Sequence, residues 1–312
     1  MYNNLYKYKP YFSWLIKLGI VSAAIYFIYQ KLAYNELLSF ELFKKQVAFL
    51  LSNKLWTLIL VLFFTDANWI LEIFKWKTLV STIKKTSFIE AYEQCLASQT
   101  VSIITPNRIG EYGAKALYFE KEKRKKIVFL NLIGNLTQLI ITIVFGLIGM
   151  VYIFSYFNLP SVLLNFQNTF IILVIIVLIL FFRRKLKLPK LFKYFKTINP
   201  KIIYKTLCYS FLRYVVFSHQ FYFLLILFEI EATYLSVMNL LFCMYFLAST
   251  IPSLSIFDWA IKGSLAVWLF SYIQVNELTI LTITTLMWLL NVVFPAIIGS
   301  FFILKFNSKK VI

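Results

Sequence analysis

Five ionisable side chains in two short stretches are the residues of this sequence best placed to do chemistry. The stretch "TPNRIGEYGAKALYF" (105–119) carries Arg108, Glu111 and Lys115, and "IPSLSIFDWAIKGS" (251–264) carries Asp258 and Lys262. In each, the acid is followed four residues later by a lysine, which puts both side chains on one helical face. Arg108 offers a planar fork suited to phosphate, and the lysines add compact positive charge. The carboxylates would hold those cations or recognise an amine. Pro106 and Pro252 interrupt the helices just upstream, because proline lacks the backbone donor and clashes with the preceding turn. Two half-helix N-termini would then add backbone donors and positive dipole ends facing an anion. Gly110 and Gly113 leave room for a partner helix or a ligand. The chemistry implied is binding of a polar, anionic head group. Two structural alternatives stay open: buried ion pairs that tie the hairpins together, or an interfacial stretch whose lysine snorkels.

These residues must be positioned by membrane helices. Of the 312 residues, 61% are hydrophobic, 19% are aromatic and only 14% are charged, where a soluble domain carries about a quarter. Apolar stretches at 11–30, 55–74, 127–154, 163–182, 206–228 and 278–304 suit a bilayer core of ~30 Å. The fold expected is all-α, a polytopic helical membrane protein with one membrane domain over 1–312. Strand-type alternation is absent, which argues against a β-barrel. The basic start and apolar run of 1–30 resemble a signal peptide but show no clean cleavage site, so a retained span is expected.

The net charge of +19 does not point to nucleic acid, because the basic residues cluster in short loops beside apolar spans. That placement marks a cytoplasmic face next to anionic lipid. Lys75, Lys77, Lys84 and Lys85 follow the second span, "KEKRKK" (121–126) precedes the third, and the 183–205 loop holds nine basic residues and no acidic one. Glu229, Glu231 and Glu277 mark the opposite side. Both termini are therefore expected in the cytoplasm. Cys95, Cys208 and Cys243 lack metal or disulfide spacing and read as packing residues. There is a single histidine, His219. No Gly-rich phosphate loop, HExxH or nucleophile elbow is present, so neither a cofactor nor a metal is expected.

Two apolar segments remain, 87–119 and 235–275, and each has both ends on one side by this charge pattern. Each is either two full spans or a re-entrant pair of half-helices meeting at its proline; the re-entrant form is the one expected, one pair entering from the cytoplasm and the other from outside. Both carry Leu-Ala-Ser, then proline, then the acid and its lysine, as an inverted-topology repeat would. A charge at mid-bilayer costs ~2.5–3.5 kcal/mol, so the five ionic groups must pair, meet water or meet a ligand. Asp66, Asn68 and Glu72 on the second span and Arg213 and Gln220 on the fifth are candidates to line the same cavity. Trp69 and Trp76 read as packing and interface anchors.

"PNRIGE" (106–111) resembles the P-x-R-x-G-E signature of the lysylphosphatidylglycerol synthase transmembrane-region family, flippase-like integral membrane proteins of bacteria. "NWILEIFKWKTL" (68–79) is similar to that family's Trp-containing second span. "IPSLSIFDWAIKGS" takes the place of its second polar hairpin, with Asp258 where the family often has glutamate. The similarity covers nearly the whole chain. It implies lipid translocation in a bacterial cytoplasmic membrane, with membrane lipids as partners. In two-part members a soluble aminoacyl-transferase domain makes the lipid. Here the last span leads directly to Ile312, so that domain is expected to be missing and a lysyltransferase label would describe the family. The function expected is a non-enzymatic, flippase-like carrier of a phospholipid or polyprenyl-linked lipid. Two rivals are a scaffold for a separately encoded lipid- or glycan-modifying enzyme, and an intramembrane transferase using Glu111 or Asp258 as base.

Overall fold

The computed structural model describes residues 55–105, 107–156, 198–251 and 258–306, with scattered helical positions before residue 49. Pro106 and Pro252, most of the 11–30 span, the 163–182 span and most of the basic 183–205 loop lie outside the described residues. Among those described, every regular element is a helix. They are α1 (Leu55–Val80), α2 (Phe88–Ile103), α3 (Ile109–Leu117), α4 (Arg124–Tyr156), α5 (Pro200–Leu227), α6 (Tyr234–Thr250), α7 (Asp258–Ser271), α8 (Glu277–Trp288) and α9 (Phe294–Lys305). A π-helical turn at Leu289–Val293 joins α8 to α9 without a break.

Local chemistry sets the boundaries. Ser87 opens α2 with a capping box, its hydroxyl accepting from the Glu90 amide (3.1 Å) while its own amide donates to the Glu90 carboxylate (2.7 Å). Such reciprocal bonds satisfy two of a helix's orphan donors. Asn199 caps α5 with Pro200 at the first helical position, Thr233 caps α6 and Asn276 caps α8.

Arg124–Tyr156, Pro200–Leu227 and the continuous Glu277–Lys305 rod are long and apolar enough to cross a membrane. Their apolar faces confirm which solvent they meet. On α4, Ile140, Val144, Ile148 and Val151 form an exposed stripe, and on α9 Phe294, Ile297 and Phe301 form another. Stripes at helical spacing normally face a core. Turned outward over this length, they would aggregate in water. The protein is a polytopic helical membrane protein.

The described helices fall into two runs with the same plan. Each has a long helix, a two-armed hairpin and a second long helix: α1, α2–α3, α4 and then α5, α6–α7, α8–α9. The packing repeats as well. The leading helices α1 and α5 pack on each other, and the first arm of each hairpin packs on the closing helix of the other half, α2 on α9 and α6 on α4. Both cross-contacts are close approaches of backbone. A Cβ on Gly149 of α4 would sit 2.5 Å from the Asn239 carbonyl oxygen of α6, and one on Gly299 of α9 would collide with the Leu96 carbonyl of α2. Small residues are what permit such approaches between membrane helices. The resemblance of the two hairpins in sequence is thus matched by their equivalent places in the fold.

Candidate functional site

The break between α2 and α3 is built by backbone strain and one hydroxyl. Asn107 and Arg108 both take left-handed backbone, with φ of 46° and 57°, a region that costs a side chain bearing a Cβ roughly 1–2 kcal/mol. Thr105 Oγ1 accepts from the Gly110 amide at 2.9 Å. A Cβ on Gly110 would lie 2.7 Å from both Thr105 Oγ1 and the Val101 carbonyl, so the turn closes only around glycine. Gly113 has open space where its Cβ would be; no close approach occurs there. The turn places Arg108 beside the end of α2, where its guanidinium donates to Gln99 Oε1 (2.5 Å) and lies 3.9 Å from Glu111. Half of the Arg108 side chain remains exposed, at 50%.

Beneath it lies a buried ionic cluster. Lys115 donates to Glu111 and to Asn131, each at 2.8 Å. Its ammonium also sits 4.5 Å from the centre of the Trp76 ring, a cation–π contact that is strong when desolvated. Trp76 is fully buried and its indole donates to Gln94 (2.7 Å). Trp76 is therefore a wall of the polar cluster and not an interface anchor. Glu72 accepts from Lys75 (2.6 Å) and from Arg213 (2.5 Å), bridging α1 to α5. Lys75 is 2% exposed, so it belongs to this cluster and not to the cytoplasmic charges with which the sequence groups it.

From Arg213 a chain of amides runs across the molecule. Arg213 Nε donates to Asn68 (2.9 Å), Asn68 to Asn291 (2.8 Å), and Asn291 to Gln220 (2.9 Å). Gln220 in turn donates to Thr65 (2.7 Å) and to the Val61 carbonyl (3.0 Å). Asn291 sits in the π-helical turn, a rare local widening frequently found at functional sites.

A cavity of about 680 Å³ opens above this floor and is walled by both halves. Arg108 and Asn107 reach it from the first break, Asn68 and Trp69 from α1, Asn135 and Gln138 from α4, and Arg213 from α5. Asp258, Trp259 and Lys262 of α7 and Trp288 and Asn291 of the closing rod complete it. A narrow recess beside it is lined by Glu72, Glu111 and Lys115 and shares Arg108, Gln99, Asn135 and Arg213 with the cavity. Asp258 and Lys262 pair at 2.8 Å with more than a third of each side chain exposed.

The sequence-derived candidates thus separate into groups. Arg108, Asp258, Lys262, Asn68 and Arg213 share one cavity, Glu111 and Lys115 form its buried flank, and Gln220 lies behind the wall as a link in the amide chain. Asp66 is exposed and does not line the cavity. At 100° per residue it points about 200° away from Asn68, onto the opposite flank of α1. His219 has its ring nitrogens 2.8 Å from the Val215 carbonyl and 2.9 Å from the Tyr234 hydroxyl, away from the cavity lining. Cys95 and Cys243 are buried as packing residues, but Cys208 is exposed.

The residues that sequence reasoning passed over are neutral amides: Gln99, Asn131, Asn135, Gln138 and Asn291. Their signal was available, because an amide inside a span of the α4 or α8–α9 type is as anomalous as a charge, only cheaper.

No curated protein and no solved structure matches this sequence significantly. The family model described as Lysylphosphatidylglycerol synthase TM region matches residues 14–299. That range takes in both hairpins and every residue placed around the cavity above, so by nearly its whole length the chain belongs to the lysylphosphatidylglycerol synthase transmembrane-region family.

Proposed function

We propose that this protein moves a phosphate-bearing lipid between leaflets, with the head group seated in the cavity between the two halves and the tails left in the bilayer. The observation that carries the reading is the cavity itself. It is wide enough for a head group, walled by elements of both hairpins, and rich in cations. Counting the cavity, the recess and Lys75, five cations (Lys75, Arg108, Lys115, Arg213, Lys262) stand against three carboxylates (Glu72, Glu111, Asp258), an excess of two positive charges. An unbalanced positive cluster inside a membrane calls for an anion.

The transport element of the proposal rests on symmetry. By the charge pattern of the loops, α1 runs toward the cytoplasm and α5 away from it. The two equivalent halves are then inverted, with their hairpins entering from opposite faces and both termini cytoplasmic. Inverted repeats with broken helices meeting at mid-membrane support alternating access, each half rocking against the other around a fixed site. The 9-residue α3 is ~14 Å long and fits a re-entrant arm rather than a crossing. Proteins of this lipid-related family fit a bacterial cytoplasmic membrane.

The test is reconstitution in vesicles with a fluorescent phospholipid and a membrane-impermeant quencher. Wild-type protein accelerates loss of the protected inner-leaflet signal, and Arg108→Ala slows it about tenfold or more, as expected for loss of a charge-assisted anchor. Equal rates for Arg108→Ala and wild type, or no acceleration by wild type, would overturn the proposal.

A further inference from the structure

The cavity holds two polar side chains that the protein itself leaves unsatisfied. The Trp69 indole nitrogen, and both the amide nitrogen and the amide oxygen of Gln138, are buried without a hydrogen-bond partner among the described residues. Both residues line the cavity. A buried polar group left unpaired costs about 1–3 kcal/mol, and all three atoms belong to side chains that line this one chamber, where rotation of the Gln138 amide or the Trp69 indole presents them to a ligand that satisfies them. Their types restrict its chemistry. The Gln138 amide needs one partner that accepts and one that donates, and Trp69 can only donate. A phosphate only accepts and an ammonium only donates. A hydroxyl does both.

The walls add a second restriction. Trp69, Trp259 and Trp288 give the chamber large ring surfaces, whose electron-rich faces suit polarised C–H groups or cations. The surplus of two positive charges already described decides between these two. A lipid whose head group carries a phosphate and a lysyl ester has two ammonium groups and a net positive charge, and would add to the excess. A phosphate linked to a polyol or a sugar would reduce it, while offering hydroxyls to Gln138 and an acceptor to Trp69.

Building on the head-group reading above, we infer that the cavity selects a phosphate bearing a hydroxyl-rich substituent, a polyol or a sugar, and disfavours a cationic aminoacylated lipid. Arg108 and Lys262 take the phosphate; Gln138 and Trp69 read the hydroxyls. The chemistry is shared by polyol phospholipids and by isoprenoid phosphosugars.

Native mass spectrometry of the full chain in phosphatidylcholine nanodiscs tests this by competition. The phospholipids offered share their acyl tails: phosphatidic acid, phosphatidylglycerol, phosphatidylinositol and lysylphosphatidylglycerol. Farnesyl phosphate and farnesyl phosphoglucose form the isoprenoid pair. Retention of phosphatidylglycerol or phosphatidylinositol about tenfold above phosphatidic acid, or of farnesyl phosphoglucose about tenfold above farnesyl phosphate, is expected from two or three added hydrogen bonds. The pair that shows the preference identifies the source. Gln138→Leu abolishes that preference while leaving phosphatidic acid bound. Trp69→Phe keeps an aromatic face while removing the indole N–H, guards against a folding artefact and weakens the preference severalfold. Equal retention of hydroxylated and bare phosphates, or best retention of lysylphosphatidylglycerol, overturns the inference while leaving the head-group reading standing. Retention of no lipid above phosphatidylcholine overturns both.

Discussion

The two hairpins carry the same motif at the same place in the fold and put it to different uses. Each second arm presents an acid and a lysine four residues apart, and each pair closes at 2.8 Å. In the first hairpin the Lys115 and Glu111 side chains are 2% and 8% exposed; in the second, Lys262 and Asp258 are 38% and 36% exposed. Solvation, and not sequence, sets what each pair is worth. A buried pair is locked, because removing one partner strands the other in a low dielectric. A half-exposed pair facing a cavity contributes little to stability and is free to exchange its partner for a ligand.

The largest expected effect follows from that contrast. Lys115→Ala leaves Glu111 buried, with Arg108 at 3.9 Å as its nearest remaining cation, and also orphans Asn131 and the Trp76 ring face. A loss of about 3–5 kcal/mol is expected, read as a fall in thermal or denaturant stability of the purified protein. Lys262→Ala should cost under about 1 kcal/mol in the same assay. Equal losses would erase the distinction between the hairpins.

The glycines of the first hairpin provide a sharper, smaller test because their predicted effects have opposite signs. Gly110→Ala forces a methyl against Thr105 and the Val101 carbonyl and is expected to destabilise by about 1–3 kcal/mol. Gly113→Ala adds a methyl in open space inside a helix and should stabilise by about 0.5–1 kcal/mol, through helix propensity alone. Two destabilised variants would mean that α3 is held by contacts other than the 105–110 turn.

How much of this was legible in the sequence depended on what each residue had to announce. Helix boundaries were close to readable because apolar runs end at charges: 127–154 was expected and Arg124–Tyr156 observed, 278–304 expected and Glu277–Lys305 observed. That 87–119 and 235–275 are each divided into two helices, α2–α3 and α6–α7, was legible because proline and paired charges have no place in an ordinary span. Lys75 was misassigned because a basic residue after an apolar run looks like an orientation signal whether it faces water or a buried glutamate. Only the tertiary pairing with Glu72 separates the two. Asp66 was grouped with Asn68 and Glu72 at roughly helical spacing, which holds for Asn68 and Glu72, four residues apart, but puts Asp66 about 200° from Asn68. Asn291 was legible as an anomalous amide in an apolar span, but its pairing with Asn68 and Gln220 was not, because that depends on three helices meeting and a single asparagine names no partner.

The smallest predicted effects are the most informative about the second hairpin. Asp258 is the carboxylate that both lines the wide cavity and pairs with Lys262. If the cavity binds an anion, removing that carboxylate lowers repulsion and frees the lysine, so Asp258→Ala should raise the affinity for an anionic lipid by about twofold to fivefold. Lys262→Ala should lower it by a similar factor, the scale expected of one partly exposed charge. Both variants should unfold within a few degrees of wild type. In the first hairpin no such opposition is available, since loss of either Glu111 or Lys115 exposes its partner's buried charge and both variants lose stability together. A second hairpin whose two variants changed lipid affinity in the same direction would behave as the first does, as an ionic strut, and its lysine would have no part in seating the head group.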